Sequence, residues 1–239
     1  MNAPEMLIAD PAVALVSKEV DILDELLPLT GASILELGCG KAEMTRLVAE
    51  QAGSVLALEV DEIQLVKNRA TTDLPNVEFE RGGAEQIPVP DAGFDIVLMF
   101  KSLHHVPTAL MDRVFPEIHR VLKPGGLAYI SEPVYAGEFN EILRLFHDER
   151  EVREAAFATV SQAARSGQFE LLVQKFFLSP MHFDDFGQFE EKILKVTHTD
   201  HRLSREVYEQ VRSRFGKHMT AGGADFQMPI RVDLLRKRG

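Results

Sequence analysis

Two glycines and two acids set the first chemical question. The stretch 34–44, ILELGCGKAEM, runs apolar, breaks at Gly38-Cys39-Gly40 and then takes on helical spacing. Gly38 and Gly40 let the backbone approach a ligand closely and adopt conformations closed to other residues. A helix opening just after them aims its free N–H groups and positive end at whatever sits on the loop. Such a loop holds a phosphorylated group or a nucleoside. Glu59 ends the next strand, about 20 residues after Gly38, where a carboxylate can accept both ribose hydroxyls. The dinucleotide fingerprint needs a third glycine where Glu43 stands, so NAD and FAD are disfavoured, and no P-loop signature occurs. Glu36, inside the loop, speaks against a pyrophosphate. It favours a cationic group, such as an ammonium or a sulfonium, by Coulomb attraction.

The elements that must position this loop alternate along the chain. Residues 32–37, 54–60, 76–82, 94–100 and 127–133 read as strands, and 41–52, 61–71 and 109–123 as helices, the last having to accommodate Pro116. Asp61 is a helix cap and 124–126 a turn. Strands as continuously apolar as ILEL and IVLM are buried on both faces, which predicts a largely parallel sheet covered by helices. Residues 12–27 space their apolar positions as an amphipathic helix. After Pro133 the pattern changes: 138–166 and 185–215 read as mostly helical, with strands at 170–183 and 226–238. The expected organisation is one α/β domain over 1–239: an N-terminal lid helix (1–30), a ligand-binding core (31–133), a helical insertion on the substrate side (134–225) and a last strand (226–238).

The chain has 239 residues and a formal net charge of −11. That charge argues against a nucleic-acid partner, because phosphate backbones want a basic face; the basic end, RVDLLRKRG, reads as solvated charge. A single cysteine excludes an internal disulfide framework and a cysteine-based zinc site. His182, His198, His201 and His218 lack a metal-ligand spacing, so no metal is expected. The N-terminus has no basic region of the signal-peptide type, and no apolar run approaches 18 residues, so a cytoplasmic protein without a membrane span is expected. A homodimer is allowed for.

ILELGCGKAEMT, ALEVD, GGAEQIPVPDAGFDIVLMFKSLHHV and VLKPGGLAYISEP resemble the successive motifs of class I S-adenosylmethionine-dependent methyltransferases. The branch they resemble includes the ubiquinone and menaquinone methyltransferases and many small-molecule enzymes. The resemblance covers about residues 30–133. It implies a doubly wound, seven-stranded, mostly parallel sheet with an antiparallel last strand, and S-adenosylmethionine as cofactor with S-adenosylhomocysteine as product. By that resemblance Gly38, Cys39 and Gly40 hold the methionyl part, with Glu36 near its ammonium. Glu59 takes the ribose hydroxyls, Ala84 and Glu85 edge the adenine, and Phe100 joins the cofactor site. The family often has an Asp where Gly83 stands; Glu85 is the substitute.

Methyl transfer from a sulfonium is an in-line displacement, so catalysis is mainly a matter of holding three atoms in line. A general base helps when the nucleophile carries a proton. His104 and His105 after the fourth strand, and Glu132 at the end of the fifth, are the candidates; the alternative is that both histidines are structural. Lys101 follows a buried strand and needs a partner. Glu36, Glu132 or an anionic substrate or cofactor group would serve. Tyr135 and the insertion's aromatics would roof an apolar acceptor pocket. The expected function is methylation of a small molecule. The alternatives are a protein or tRNA methyltransferase, and an inactive S-adenosylmethionine-binding regulatory protein.

Overall fold

Strands apolar on both sides belong in the middle of a sheet covered on both faces. The computed structural model, which describes residues 5–195 and 203–239, places them there. Strands β1 (Ser33–Leu37), β2 (Ser54–Glu59), β3 (Val77–Arg81), β4 (Phe94–Phe100) and β5 (Leu122–Pro133) lie parallel in the order β3-β2-β1-β4-β5. The order continues with β8 (Gly223–Lys237), antiparallel to β5, and then β6 (Phe169–Phe183), antiparallel to β8. This is the mostly parallel sheet with a reversed strand near one edge that the motifs imply. The two-residue β7 (Met219–Thr220) pairs with β8 off this path.

Side chains alternate across the sheet with period two. In β1, Ile34 packs with Ile22 and Leu23 of α1 (Glu19–Leu26) and Val48 of α2 (Glu43–Ala49). Leu35 and Leu37 face the other way, onto Val114, Phe115 and Ile118 of α4 (Met111–Val121). In β4 the same alternation sends Ile96 and Leu98 to the first cluster and Val97 and Met99 to the second. Each such fully buried aliphatic side chain contributes about 1.5–3 kcal/mol. The apolar stripe of α4 is Met111, Val114, Phe115, Ile118 and Val121, and Pro116 lies on its exposed side. α3 (Glu62–Arg69) is capped by Asp61, whose side chain accepts from the Ile63 and Gln64 N–H groups. The turn expected at 124–126 lies within β5 as an irregularity, with a register shift against β4 between Phe94 and Ile96.

The N-terminal expectation needs correcting. Helix α1 begins only at Glu19, and residues 12–18 carry no helix. Leu178 N–H donates to Leu15 O at 2.7 Å and Ser17 N–H to Leu178 O at 3.1 Å, with a parallel bridge between Val16 and Leu178. The apolar residues of AVALV pair with edge strand β6, whose unpaired backbone groups would otherwise face solvent.

Beyond Pro133, β8 and β6 outrun the sheet. β5 pairs β8 as far as Pro133–Ile230, whereas β6 follows β8 to Phe183–Ala224. This two-stranded ribbon carries α5 (Glu138–Leu143), α7 (Phe186–Phe189) and α8 (Arg205–Gly216) through a third cluster that includes Phe139, Phe183, Phe189, Phe215 and Phe226. The helix α6 (Arg150–Arg165) instead returns to the main sheet, packing Ala156 and Val160 into the α4 side. The insertion's aromatics therefore fill a core of their own rather than roofing a pocket. Among the described residues no helix is long and apolar enough to cross a membrane. His198 and His201 lie outside the described residues.

Candidate active site

The loop after β1 takes the backbone path that its glycines permit. Gly38 has φ +75° and Gly40 φ +51°, and Ala42, which opens α2, is also left-handed. A Cβ on Gly38 would stand 2.8 Å from that of Ser102, so the loop and the segment after β4 touch here through hydrogen alone. Gly38 and Cys39 N–H groups both donate to Leu58 O. Glu59, at the end of β2, is tied to this loop: Gly40 N–H donates to Oε2 at 2.8 Å, and Val60 and Asp61 N–H groups donate to Oε1 at 2.8 Å. Asn68 of α3 completes the clamp, its amide donating to Gly40 O at 2.8 Å and to Cys39 Sγ at 3.5 Å. Asn68 was not singled out from the sequence, because nothing in a helical pattern distinguishes a buried amide that reaches back to a loop. Burial, reinforced by Glu36 and Glu59, pushes the Cys39 thiol far up, so it stays neutral.

Glu36 is buried in β1, and its Oε2 has no hydrogen-bond partner among the described residues. Burial raises its pKa to about 7; the nearby Thr45 hydroxyl offsets part of this and the charge of Glu59 adds to it. An orphaned carboxylate under a glycine loop is complementary to a buried ammonium, which would give Oε2 a partner and return the acid to its charged form. The buried carboxylate therefore fits an ammonium such as the methionyl end of S-adenosylmethionine carries.

Past β3, Ala84 is buried and Glu85 half-buried. A Cβ built on Gly83 would fall 2.4–2.7 Å from the Glu85 carboxyl group. The carboxylate of Glu85 thus occupies the space that an acidic side chain at position 83 would enter. Phe100, at the end of β4, is partly buried against the α1 side and meets the Tyr129 ring at 5.6 Å.

Lys101 follows in a left-handed conformation, φ +54°, and its N–H donates to Ser131 O. Its ammonium pairs with neither Glu36 nor Glu132; it lies 3.2 Å from Glu19 Oε2. Glu19 also accepts from the Tyr129 hydroxyl at 2.9 Å, and burial together with this acid raises the phenol's pKa. The partner came from the first residue of α1, which no spacing argument connects to β4. Ser102 Oγ donates to Leu37 O at 2.8 Å and binds the post-β4 segment to the end of β1.

His104 and His105 sit in the short 3-10 turn Leu103–His105, with ring centroids 4.1 Å apart. His104 is buried and His105 exposed. Glu132 is spent on this turn: Oε1 accepts Leu103 N–H at 2.9 Å and Oε2 meets His104 Nδ1 at 2.6 Å. On the far side, His104 Nε2 lies 3.7 Å from Glu149 Oε1, just before α6. Burial would raise Glu149, but His104, Arg153 and His147 outweigh it and hold its carboxyl below the usual range. Tyr135 lies under the Arg150 guanidinium, 4.6 Å from ring centroid to Cζ, and lines a cavity of about 150 Å³ with Ile8, Val134, Arg153 and Arg231. A larger cavity, about 250 Å³, lies between Pro28 and the beginnings of β4 and β5, at the opposite end of the sheet from the glycine loop.

Comparison with known proteins converges on the same segment. Residues 34–126 match the family model described as a methyltransferase domain. A protein of Mycolicibacterium smegmatis named as an S-adenosylmethionine-dependent methyltransferase is 31% identical over 146 residues, covering 59% of this chain and 53% of that protein. The demethylmenaquinone methyltransferase of Listeria monocytogenes is 37% identical over 102 residues, covering 40% of this chain and 42% of the enzyme. The chain thus spans about half the length of the curated relatives it matches. A crystal structure from Bacillus halodurans C-125 superposes with a TM-score of 0.66 over 92% of this chain and 99% of the other, at 18% identity, which bears on the fold alone. Residues 34–126 thus carry the likeness to a methyltransferase domain, within the stretch similar to the S-adenosylmethionine-dependent relative.

Proposed function

We propose that the whole chain is an S-adenosylmethionine-dependent methyltransferase whose acceptor is a small molecule. The observation that carries the reading is the orphaned, buried Glu36 carboxylate beneath a loop that Glu59 and Asn68 hold open-backed for a nucleoside. The cofactor supplies an activated methyl group; the chain's own task is to hold cofactor and acceptor in line and to keep water out. Gly38 and Gly40 receive the methionyl part, Glu36 its ammonium, Glu59 the ribose and Glu85 the adenine edge.

The acceptor side supports a small substrate. The ends of β4 and β5 are roofed by the start of α6, so His104 and Glu132 are 5% and 2% exposed rather than set on an open face. Glu132, occupied on both oxygens, orients His104. A proton leaving the acceptor falls to the histidine pair, of which His105 is the exposed member. The likeness to demethylmenaquinone methyltransferases points the same way, and the −11 charge weighs against RNA.

The test is methyl transfer from labelled S-adenosylmethionine to three fractions of a cell extract: low-mass solutes and lipids, protein, and RNA. Label in the first fraction is expected. Label confined to protein or RNA would overturn the acceptor class, and no label with intact cofactor binding would favour a regulatory binding protein.

A further inference from the structure

The acceptor-side cluster gathers three side chains of metal-ligating type. Glu132 meets His104 Nδ1 at 2.6 Å and so leaves Nε2 facing Glu149 Oε1. At 3.7 Å these two atoms are too far apart for a hydrogen bond. Their separation is close to that of two ligands of one ion. A tetrahedral ion with nitrogen and oxygen ligands at about 2.0–2.1 Å needs its ligand atoms roughly 3.3–3.5 Å apart. We infer that His104, His105 and Glu149 form a site for a divalent transition-metal ion, zinc being the best match to two imidazoles and a carboxylate.

The surroundings are those of a ligand set. One ligand atom from each of the three residues lies within 4.8 Å of the others. The Glu132 contact fixes the tautomer and ring orientation of His104, the role that a carboxylate plays behind a metal-bound imidazole. Arg153 grips the opposite oxygen of Glu149, at 2.5 Å from Nη2 and 3.1 Å from Nε, leaving Oε1 presented to the histidines. His147 Nε2 approaches that same Oε1 at 3.0 Å. Exposed His105 gives the site a route to solvent and leaves room for a further ligand, the open arrangement of a reactive metal site. His182, on the exposed surface with Nδ1 2.8 Å from Asp225 and Nε2 3.3 Å from Asp184, lies outside this cluster and serves as the control.

The site stands on these contacts and not on methyl transfer. Only its consequence rests on that reading: an acceptor oxygen on the ion would lose its proton more readily. The ion would then share the task given above to His105.

Calorimetric titration of chelator-treated, full-length protein with zinc chloride, without cofactor, tests the site. One equivalent should bind with release of protons. His105→Ala, an exposed change that should leave the apo melting temperature near wild type, should weaken binding at least tenfold. Glu149→Gln should do the same, and His182→Ala should not. No heat would overturn the site. Unchanged affinity in His105→Ala and Glu149→Gln, or loss in His182→Ala, would also overturn it, by moving the ion to the surface.

Discussion

The loop after β1 and the cluster after β4 occupy the same carboxyl-terminal edge of one sheet, yet they are assembled differently. The first is local: Glu36, Gly38, Gly40, Glu59 and Asn68 come from two consecutive strand–helix units and are fixed mainly by backbone hydrogen bonds. The second is gathered from β4, β5 and the start of α6, and is fixed by side chains meeting side chains. A site of the first kind tolerates change at its rim and depends on backbone shape. One of the second kind fails when any one partner is removed.

Four experiments would break or sharpen this contrast. The largest effect is expected from Glu132→Leu, which strands the Leu103 N–H and His104 in the interior. Urea unfolding should show a loss of about 3–5 kcal/mol; a loss below about 1 kcal/mol would mean that the cluster is not interdependent.

Next comes the pH dependence from Glu36. Its folded pKa, about 7, lies above the ordinary 4.5, so the folded state holds a proton that the unfolded state releases. Its contribution to stability should therefore fall as pH rises from about 4.5 to 7 and level off above, by about 3 kcal/mol in all. Glu36→Gln should flatten that slope, and an unaltered slope would assign the dependence elsewhere. A smaller change is expected in Glu59→Ala, which removes the acceptor of three backbone N–H groups and the ribose carboxylate together. S-adenosylhomocysteine should bind at least tenfold more weakly, about 1.4 kcal/mol; equal affinity would remove Glu59 from the site.

The smallest effect should come from a swap at the adenine edge. Gly83→Asp combined with Glu85→Ala moves the carboxylate two residues back into the space it already fills, and affinity should stay within about threefold, or about 0.7 kcal/mol. A collapse of binding would show that Glu85 is needed as itself.

The sequence carried the first region and much of the fold, for one physical reason: the information is short-range. Apolar runs set which strands are buried, Gly38 and Gly40 mark left-handed backbone, and Glu59 follows at a fixed interval. Glu85 lies against Gly83 for the same reason, the two being only two residues apart. What could not be read depends on which distant segments meet. Lys101 finds Glu19, His104 finds Glu149, and residues 12–18 pair with β6 although their apolar spacing suits a helix equally well. Histidine spacing suggested no metal, since His104, His105 and Glu149 are joined only by the fold. The insertion's phenylalanines read as a substrate roof, but they pack on a ribbon formed by β6 and β8, whose length beyond the sheet no local pattern announces.

In the proposed function, the loop after β1 holds the sulfonium nucleoside and Glu36 meets its ammonium. Calorimetric titration of the full chain with S-adenosylhomocysteine, near pH 7 and in two buffers of different ionisation enthalpy, tests it most directly. Saturable one-site binding with release of a fraction of a proton is expected, and that release should be lost in Glu36→Gln. No heat together with no thermal shift would contradict it.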